Sequence, residues 1–301
     1  MSLTSSIIHY DNCPACNSGS IRQVSEIRDH SVSGELFQLY ECSDCTLRFT
    51  QDVPDAASIG AYYKSDAYIS HTNTRAGLIN KLYHIVRNRT LSQKKKLICK
   101  TTGRQTGRLL DIGAGAGAFA AYMKNAGWQV TALEPDGATR QKAQAEYRLT
   151  MLPAEALFEL DSAQFDAITL WHVLEHVHDL HGYLARVKEL LKPSGVIFIA
   201  VPNYTSYDAS KYGADWAAYD MPIHLYHFSP KAMSKVLGMH NLRLKEMKPM
   251  WFDSFYVSLL SEKYRKSKQQ LLKGFFNGLV SNLKASTDKS RCSSLIYIVR
   301  P

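Results

Sequence analysis

The sequence predicts an α/β protein in which an open sheet carries helices on both faces, preceded by a small cysteine-rich module. Three observations carry that prediction. Two C-x2-C knuckles, Cys13-Pro14-Ala15-Cys16 and Cys42-Ser43-Asp44-Cys45, stand near the N-terminus. A unit of strand, glycine-rich turn, helix and second strand runs from Arg108 to Asp136 (RLLDIGAGAGAFAAYMKNAGWQVTALEPD). Short apolar strands then alternate with helical patterns as far as Asn203, the rhythm of a parallel sheet.

Composition sets the frame for these elements. The 301 residues are 45% hydrophobic and 21% charged, enough for one large folded domain and a small one. The opening MSLTSSIIHYDN has no basic region followed by an apolar run, so no secretory signal is expected. The longest apolar stretch, Val196 to Val201, is far too short to span a bilayer. Four cysteines fall at metal-site spacing, and Cys99 and Cys292 have no evident partners, which suits a reducing cytoplasm. The net charge of +9 is uneven: residues 1–60 carry three basic and eight acidic side chains, and residues 61–107 ten and one. Residues 108–202 carry eight and eleven, residues 203–301 fifteen and seven.

Residues 1–54 read as a zinc ribbon. Each knuckle points two thiolates at one place, and together Cys13, Cys16, Cys42 and Cys45 complete a tetrahedral site for structural Zn²⁺. Four thiolates leave no open position for catalysis. A segment this short buries too little apolar surface to fold without the metal. Its acidic balance argues against binding a phosphate backbone. Residues 55–106 read as connecting helices: Ile59, Tyr62 and Tyr63 suggest a short one, and Leu78, Ile79, Leu82, Ile85, Val86, Leu97 and Ile98 a long one. The basic faces of the long helix are either a solvated surface or an anion-facing one.

Residues 107–301 form the main domain. Leu109, Leu110 and Ile112 make a strand that stops at Gly113, Gly115 and Gly117, and Phe119, Ala120 and Met123 then recur at helical spacing. Glycines let a backbone approach a ligand closely, and the helix start behind them offers unpaired N–H groups. Glu134, ending the second strand, is placed to accept from both hydroxyls of a ribose. The reading is a cofactor containing adenosine. Gly113 to Ala118 also satisfies a dinucleotide pattern, but Asp111, two residues ahead, would repel a pyrophosphate and could face a cationic ligand. Leu170 and Trp171, ending the fourth strand at Phe165–Trp171, are expected to wall the cofactor.

With FDAITLWHVLEHV and LLKPSGVIFIAVPN downstream, the stretch from Gly107 to Asn203 resembles the class I S-adenosylmethionine-dependent methyltransferases. The resemblance implies a Rossmann-like seven-stranded sheet, S-adenosyl-L-methionine as cofactor, Glu155 as the acceptor of the adenine amino group, and N-terminal tyrosines such as Tyr63 closing over the methionine end. The run His224-Leu225-Tyr226-His227-Phe228 is similar to the histidine segment of nucleotide-ketosugar C-methyltransferases, which also begin with a zinc ribbon. That likeness makes His224 the expected base, with His227 and His172 as further catalytic candidates, although the family's H-x-H is H-x-x-H here. A competing use is a divalent-ion site at His172, Glu175 and His176, joined by His224, since some RNA-end and quinone-precursor O-methyltransferases bind an ion through E-x-x-E-H. The plainer alternative is that both segments serve packing and helix capping.

Leu242 to Met250 and Ser294 to Arg300 read as closing strands, with a helical insertion at about 252–290 between them. Its apolar stripe, Leu271 to Leu283, flanked by lysines, reads first as a lid over the substrate, then as a peripheral membrane contact or a dimer face. The expected partner is a small-molecule acceptor, anionic or glycosylated: a sugar-nucleotide, glycan or lipid-linked intermediate. The alternatives are an RNA methyltransferase with a zinc ribbon and a non-enzymatic adaptor on a degenerate fold.

Overall fold

The computed structural model describes residues 6–63 and 78–301, with the side chains of 78–85 outside that description. Residues 64–77, within the stretch expected to hold the connecting helices, therefore lie outside the described residues.

The N-terminal module contains strands β1 (Ile7–Ile8), β2 (Ile21–Arg28), β3 (Leu36–Cys42), β4 (Arg48–Thr50) and β5 (Val53–Pro54). Strands β2, β3 and β4 pair antiparallel, and the edge of that sheet is taken by a distant strand, β10 (Tyr226–His227). Tyr226 pairs with Phe49 and His227 with Arg48. The ribbon is thus continuous through its sheet with the loop that carries the two histidines. A short 3-10 turn (Ile59–Tyr63) follows, and after residues outside the description comes helix α1 (Leu78–Thr102).

The main domain contains β6 (Arg108–Ile112), α2 (Ala118–Asn125), β7 (Gln129–Leu133), α3 (Gly137–Tyr147), β8 (Phe165–Trp171), α4 (Leu180–Leu190) and β9 (Leu191–Pro202). It continues with α5 (Tyr207–Tyr212), β10, α6 (Pro230–Met239), β11 (Arg243–Pro249), α7 (Asp253–Tyr264), α8 (Gln270–Thr287) and β12 (Ser294–Arg300). Six strands form one sheet in the order β11-β12-β9-β8-β6-β7. Strands β7, β6, β8 and β9 run parallel, and β12 is antiparallel to both neighbours. The seven-stranded sheet that the resemblance implies would take a further strand from the sequence at Arg148 to Leu152, and there the structure has a single parallel bridge between Leu133 and Leu152 beyond β7. Arg148 leaves α3 with φ +51° and Pro153 stands five residues on, which leaves only 149–152 able to pair.

Alternation along the strands buries both faces of this sheet. Leu110, Ile112, Leu170, Ile197 and Ile199 meet Leu180, Leu184 and Val187 of α4 and Val236 and Leu237 of α6. Leu109, Ala167, Val196 and Phe198 meet Ile98 of α1 and Phe119 and Met123 of α2. Helix starts are set by local chemistry: Asp136, Asp179 and Ser229 each accept from a backbone N–H three residues on, and Pro230 opens α6. Ser229, and neither histidine, caps that helix.

The insertion before the last strand is the hairpin α7–α8. Its apolar stripe is not packed inward. Gly274 and Gly278 lie against α7, while Leu271, Leu272, Phe275, Phe276 and Leu283 point to solvent.

Candidate active site

Parallel strands of an open sheet expose their carboxyl ends on one edge, and the site residues collect there. Gly113, Gly115 and Gly117 all take positive φ, as the turn from β6 into α2 requires. A side chain at Gly113 would collide with Val173, whereas the space beside Gly115 is open. Glu134 is buried at the rim. Its Oε2 accepts from the Gly115 N–H (2.9 Å) and its Oε1 from the Asp136 N–H (3.0 Å). Burial raises its carboxyl above the usual range, and the two N–H bonds oppose that. The glycine loop and the acidic strand end are thereby locked into one unit, with a second lone pair on each oxygen.

Asp111 is fully enclosed and accepts from the Thr169 hydroxyl at 2.7 Å. Burial pushes its carboxyl up to about 6. Opposite it, α1 delivers Lys94, which the sequence offers only as one of the lysines on the basic faces of that helix. Its ammonium sits 4.1 Å from the Trp171 ring centroid and 5.6 Å from that of Phe119, and burial brings it down to about 8. Trp171 and Phe119 meet edge to face at 5.7 Å, and the indole Nε1 is buried without a partner among the described residues. Leu170 does not share this wall. As its neighbour on a strand it points to the other face and is buried in the core. Glu155 lies exposed on the 3-10 turn Ala154–Phe158, beyond the Leu152 bridge.

A second cluster adjoins the first. His172, strained at φ +58° just past β8, bonds Glu175 Oε1 through Nδ1 (3.2 Å) and Asp253 Oδ2 through Nε2 (3.1 Å). Against burial, these two carboxylates push the ring up to about 10, so at neutral pH it is an imidazolium donating both protons. It is therefore no proton acceptor. Glu175 is buried, and against that burial the imidazolium holds its carboxyl low; its Oε2 finds no partner among the described residues. The ligand atoms of Glu175, His176 and His224 lie within 4.8 Å of one another.

Both other histidines have fixed tautomers. His224 Nδ1 lies 2.9 Å from the Ala218 carbonyl and His176 Nδ1 2.9 Å from that of Ile223; a carbonyl only accepts, so each Nδ1 carries the proton and each Nε2 keeps its lone pair. Burial lowers both rings, His176 to about 4. Tyr63 reaches His176 with its hydroxyl at 3.2 Å from Nδ1. The ribbon holds the His224 segment from outside: the Thr50 hydroxyl donates to the His224 carbonyl at 2.7 Å and the Thr50 N–H to the Leu225 carbonyl at 2.9 Å, while from the main domain the Glu175 carbonyl accepts from the Leu225 N–H at 2.8 Å. His227 belongs to that ribbon contact. Its ring is 3.5 Å from Thr50 Oγ1 and packs edge-on against Tyr219, within the core rather than at the cluster.

In the ribbon, Cys13 and Cys45 Sγ are 3.6 Å apart, as are Cys16 and Cys42. A tetrahedral centre with bonds of about 2.3 Å asks for edges of about 3.8 Å, so the four sulfurs fit Zn²⁺.

A methyltransferase-domain family model matches residues 83–246, more than half of the chain, and leaves the ribbon and the α7–α8 hairpin outside. A ubiquinone biosynthesis O-methyltransferase of Actinobacillus pleuropneumoniae is 30% identical over 182 residues, covering 55% of this chain and 76% of that protein. Its counterpart in Xanthomonas campestris is 28% identical over 161 residues, covering 48% of this chain and 66% of the relative. Among solved structures, one described as a sarcosine dimethylglycine methyltransferase from Galdieria sulphuraria superposes with a TM-score of 0.50 at 15% identity, over 73% of this chain and 87% of that one. That likeness speaks to fold alone.

Proposed function

This chain belongs to the class I S-adenosylmethionine-dependent methyltransferases, and from that premise we propose that it methylates a small-molecule acceptor beside His224. The observation that carries the proposal is the complementarity of the glycine-loop pocket to the cofactor. Glu134 would take the ribose hydroxyls, Asp111 the methionine ammonium and Lys94 its carboxylate, with Trp171 and Phe119 walling the chain between them. When bound, the cofactor supplies an electrophilic methyl group on a sulfonium. The protein's share is positioning and proton removal. His224 Nε2, neutral and oriented by Ala218, is the base; His172, clamped by Glu175 and Asp253, keeps Glu175 ionised beside it.

The acceptor class is read from chemistry and from relatives. The curated relatives are named for ubiquinone biosynthesis, a small-molecule setting. Among the acceptors open to a histidine base, a hydroxyl on a ring, sugar or lipid-linked intermediate suits the site best. The acidic balance of the ribbon weighs against RNA. Cell extract incubated with deuterated-methyl cofactor and read by mass spectrometry should gain a labelled small molecule; label in RNA alone would overturn this reading.

One observation favours a second use of the cluster. A buried carboxylate oxygen without a partner among the described residues, beside two histidines whose Nδ1 protons go to carbonyls, has the donor set and outer support of a divalent-ion site. An ion held by Glu175, His176 and His224 would acidify an acceptor hydroxyl. Metal analysis of the purified chain separates the two: zinc in the ribbon alone supports the base, and a second equivalent lost in Glu175→Gln supports the ion.

Two outcomes test the cofactor pocket. Glu134→Ala should weaken S-adenosylmethionine binding about 10- to 100-fold by calorimetry, the loss of hydrogen bonds to a charged acceptor. Unchanged affinity, or tighter binding of NAD than of S-adenosylmethionine, would remove the assignment. Affinity should also be bell-shaped in pH. Below about 6, Asp111 gains a proton and loses the ammonium; above about 8, Lys94 loses its proton and releases the carboxylate. The cofactor's own amino group titrates near the alkaline limb, so that limb is assigned by difference. Asp111→Asn should erase the acid limb, and Lys94→Arg should move the alkaline limb upward.

A further inference from the structure

Helix α8 is built inside out. Its buried residues are the small ones, Gly274, Gly278, Ser281 and Ala285. They face α7 at very short range: a Cβ on Gly274 would lie 2.7 Å from Leu259 Cα, and one on Gly278 2.8 Å from Phe255 Cα. The large apolar side chains are consequently turned outward, with Phe275 at the margin, where its ring stacks on Phe255 of α7 at 5.5 Å. Leu271, Leu272, Phe275, Phe276, Leu279 and Leu283 recur at helical spacing, and they are exposed from 38% at Leu279 to 73% at Leu271. An unbroken outward stripe of this kind marks an interaction surface. It lies outside the residues that match the methyltransferase family.

Charge identifies the occupant. Helix α8 has no acidic residue; Lys273 and Lys284 lie on its flank, Lys263 stands in the last turn of α7, and Lys266 and Lys268 lie in the turn between the two helices. We propose that α8 is a membrane-surface helix that seats the protein on an anionic bilayer, its leucines and phenylalanines among the acyl chains and its lysines at the phosphate headgroups. A protruding apolar ridge edged by cations matches that boundary, which takes a helix to a depth of about 5–10 Å. No helix among the described residues is long and apolar enough to cross a membrane, so α8 lies on the bilayer and does not span it. The same hairpin reaches the reaction site, because α7 starts at Asp253, 3.1 Å from His172. Docking therefore bears on a lipid-borne acceptor, but the proposal rests on the exposed face alone and stands apart from the methyl-transfer reading.

Flotation of the full chain with extruded vesicles tests it. With about one third phosphatidylglycerol in phosphatidylcholine the protein should float; with phosphatidylcholine alone, or with high salt, it should stay at the bottom. Leu272→Ser with Phe276→Ser should reduce anionic-vesicle binding about tenfold or more, since two exposed apolar anchors are lost. Thermal melting and S-adenosylmethionine affinity of that variant should match the parent, which shows that the loss is not one of folding. The proposal is overturned if the parent ignores anionic vesicles or if the variant floats equally well. It is also overturned if sedimentation shows a dimer that the variant dissolves while neither protein floats, which assigns the ridge to a second copy.

Discussion

His224→Asn should lower kcat by about 10²- to 10⁴-fold while leaving the Kd for S-adenosylmethionine within a few-fold of the parent. Asparagine keeps a donor where Nδ1 now meets the Ala218 carbonyl, so the loop stays in place. It has nothing to accept a proton at the Nε2 position. The pH profile supplies a second readout. Burial holds His224 below its ordinary value, so the base stays unprotonated at neutral pH and the acid limb of kcat should fall below about 6.5. His172→Asn should behave differently. It removes the cation that keeps Glu175 ionised and releases Asp253, so its kcat limb should shift rather than vanish. Full activity in His224→Asn would exclude the base and leave proton removal to another group.

The parts of this molecule legible in sequence are those whose chemistry is local. Gly113, Gly115 and Gly117 sit where a strand must turn into a helix, and Ser229-Pro230 and Asp136 start helices by contacts within a few residues. The four-thiolate geometry of the ribbon follows from two tight knuckles brought together. Lys94 is hidden by its surroundings in a run of lysines, although Leu91 and Ile98, three before and four after, put it on the apolar face of α1. Asp253 meets His172 across 81 residues of chain, a pairing no local pattern announces. Leu170 and Trp171 adjoin in sequence and so suggest one wall, but neighbours on a strand take opposite faces. Helix α8 misleads for a related reason: the eye follows the large apolar stripe inward, whereas the glycine stripe makes the close crossing and sends the large residues out.

Ribbon and active site are coupled through that same distinction between local folding and distant support. Cys42→Ser with Cys45→Ser should abolish zinc binding and cost more than about two orders of magnitude in kcat. Zinc contributes about 10–16 kcal/mol to the folding of comparable small modules, which is as large as the whole stability of a typical domain. Without it, β3 and β4 lose their anchor, and β4 is what pairs with β10 and donates from Thr50 to the His224 carbonyl. The glycine loop, Glu134 and Asp111 lie on and just beyond β6 and β7, and the bonds that hold them, to Gly115, Asp136 and Thr169, come from the main domain and not from the ribbon. S-adenosylmethionine should accordingly still bind within a few-fold of the parent affinity, while amide exchange at 224–228 rises. A metal-free chain that retains full turnover would show that the ribbon is a separate module. A chain that loses cofactor and turnover together would show that the ribbon supports the whole domain rather than the position of one histidine.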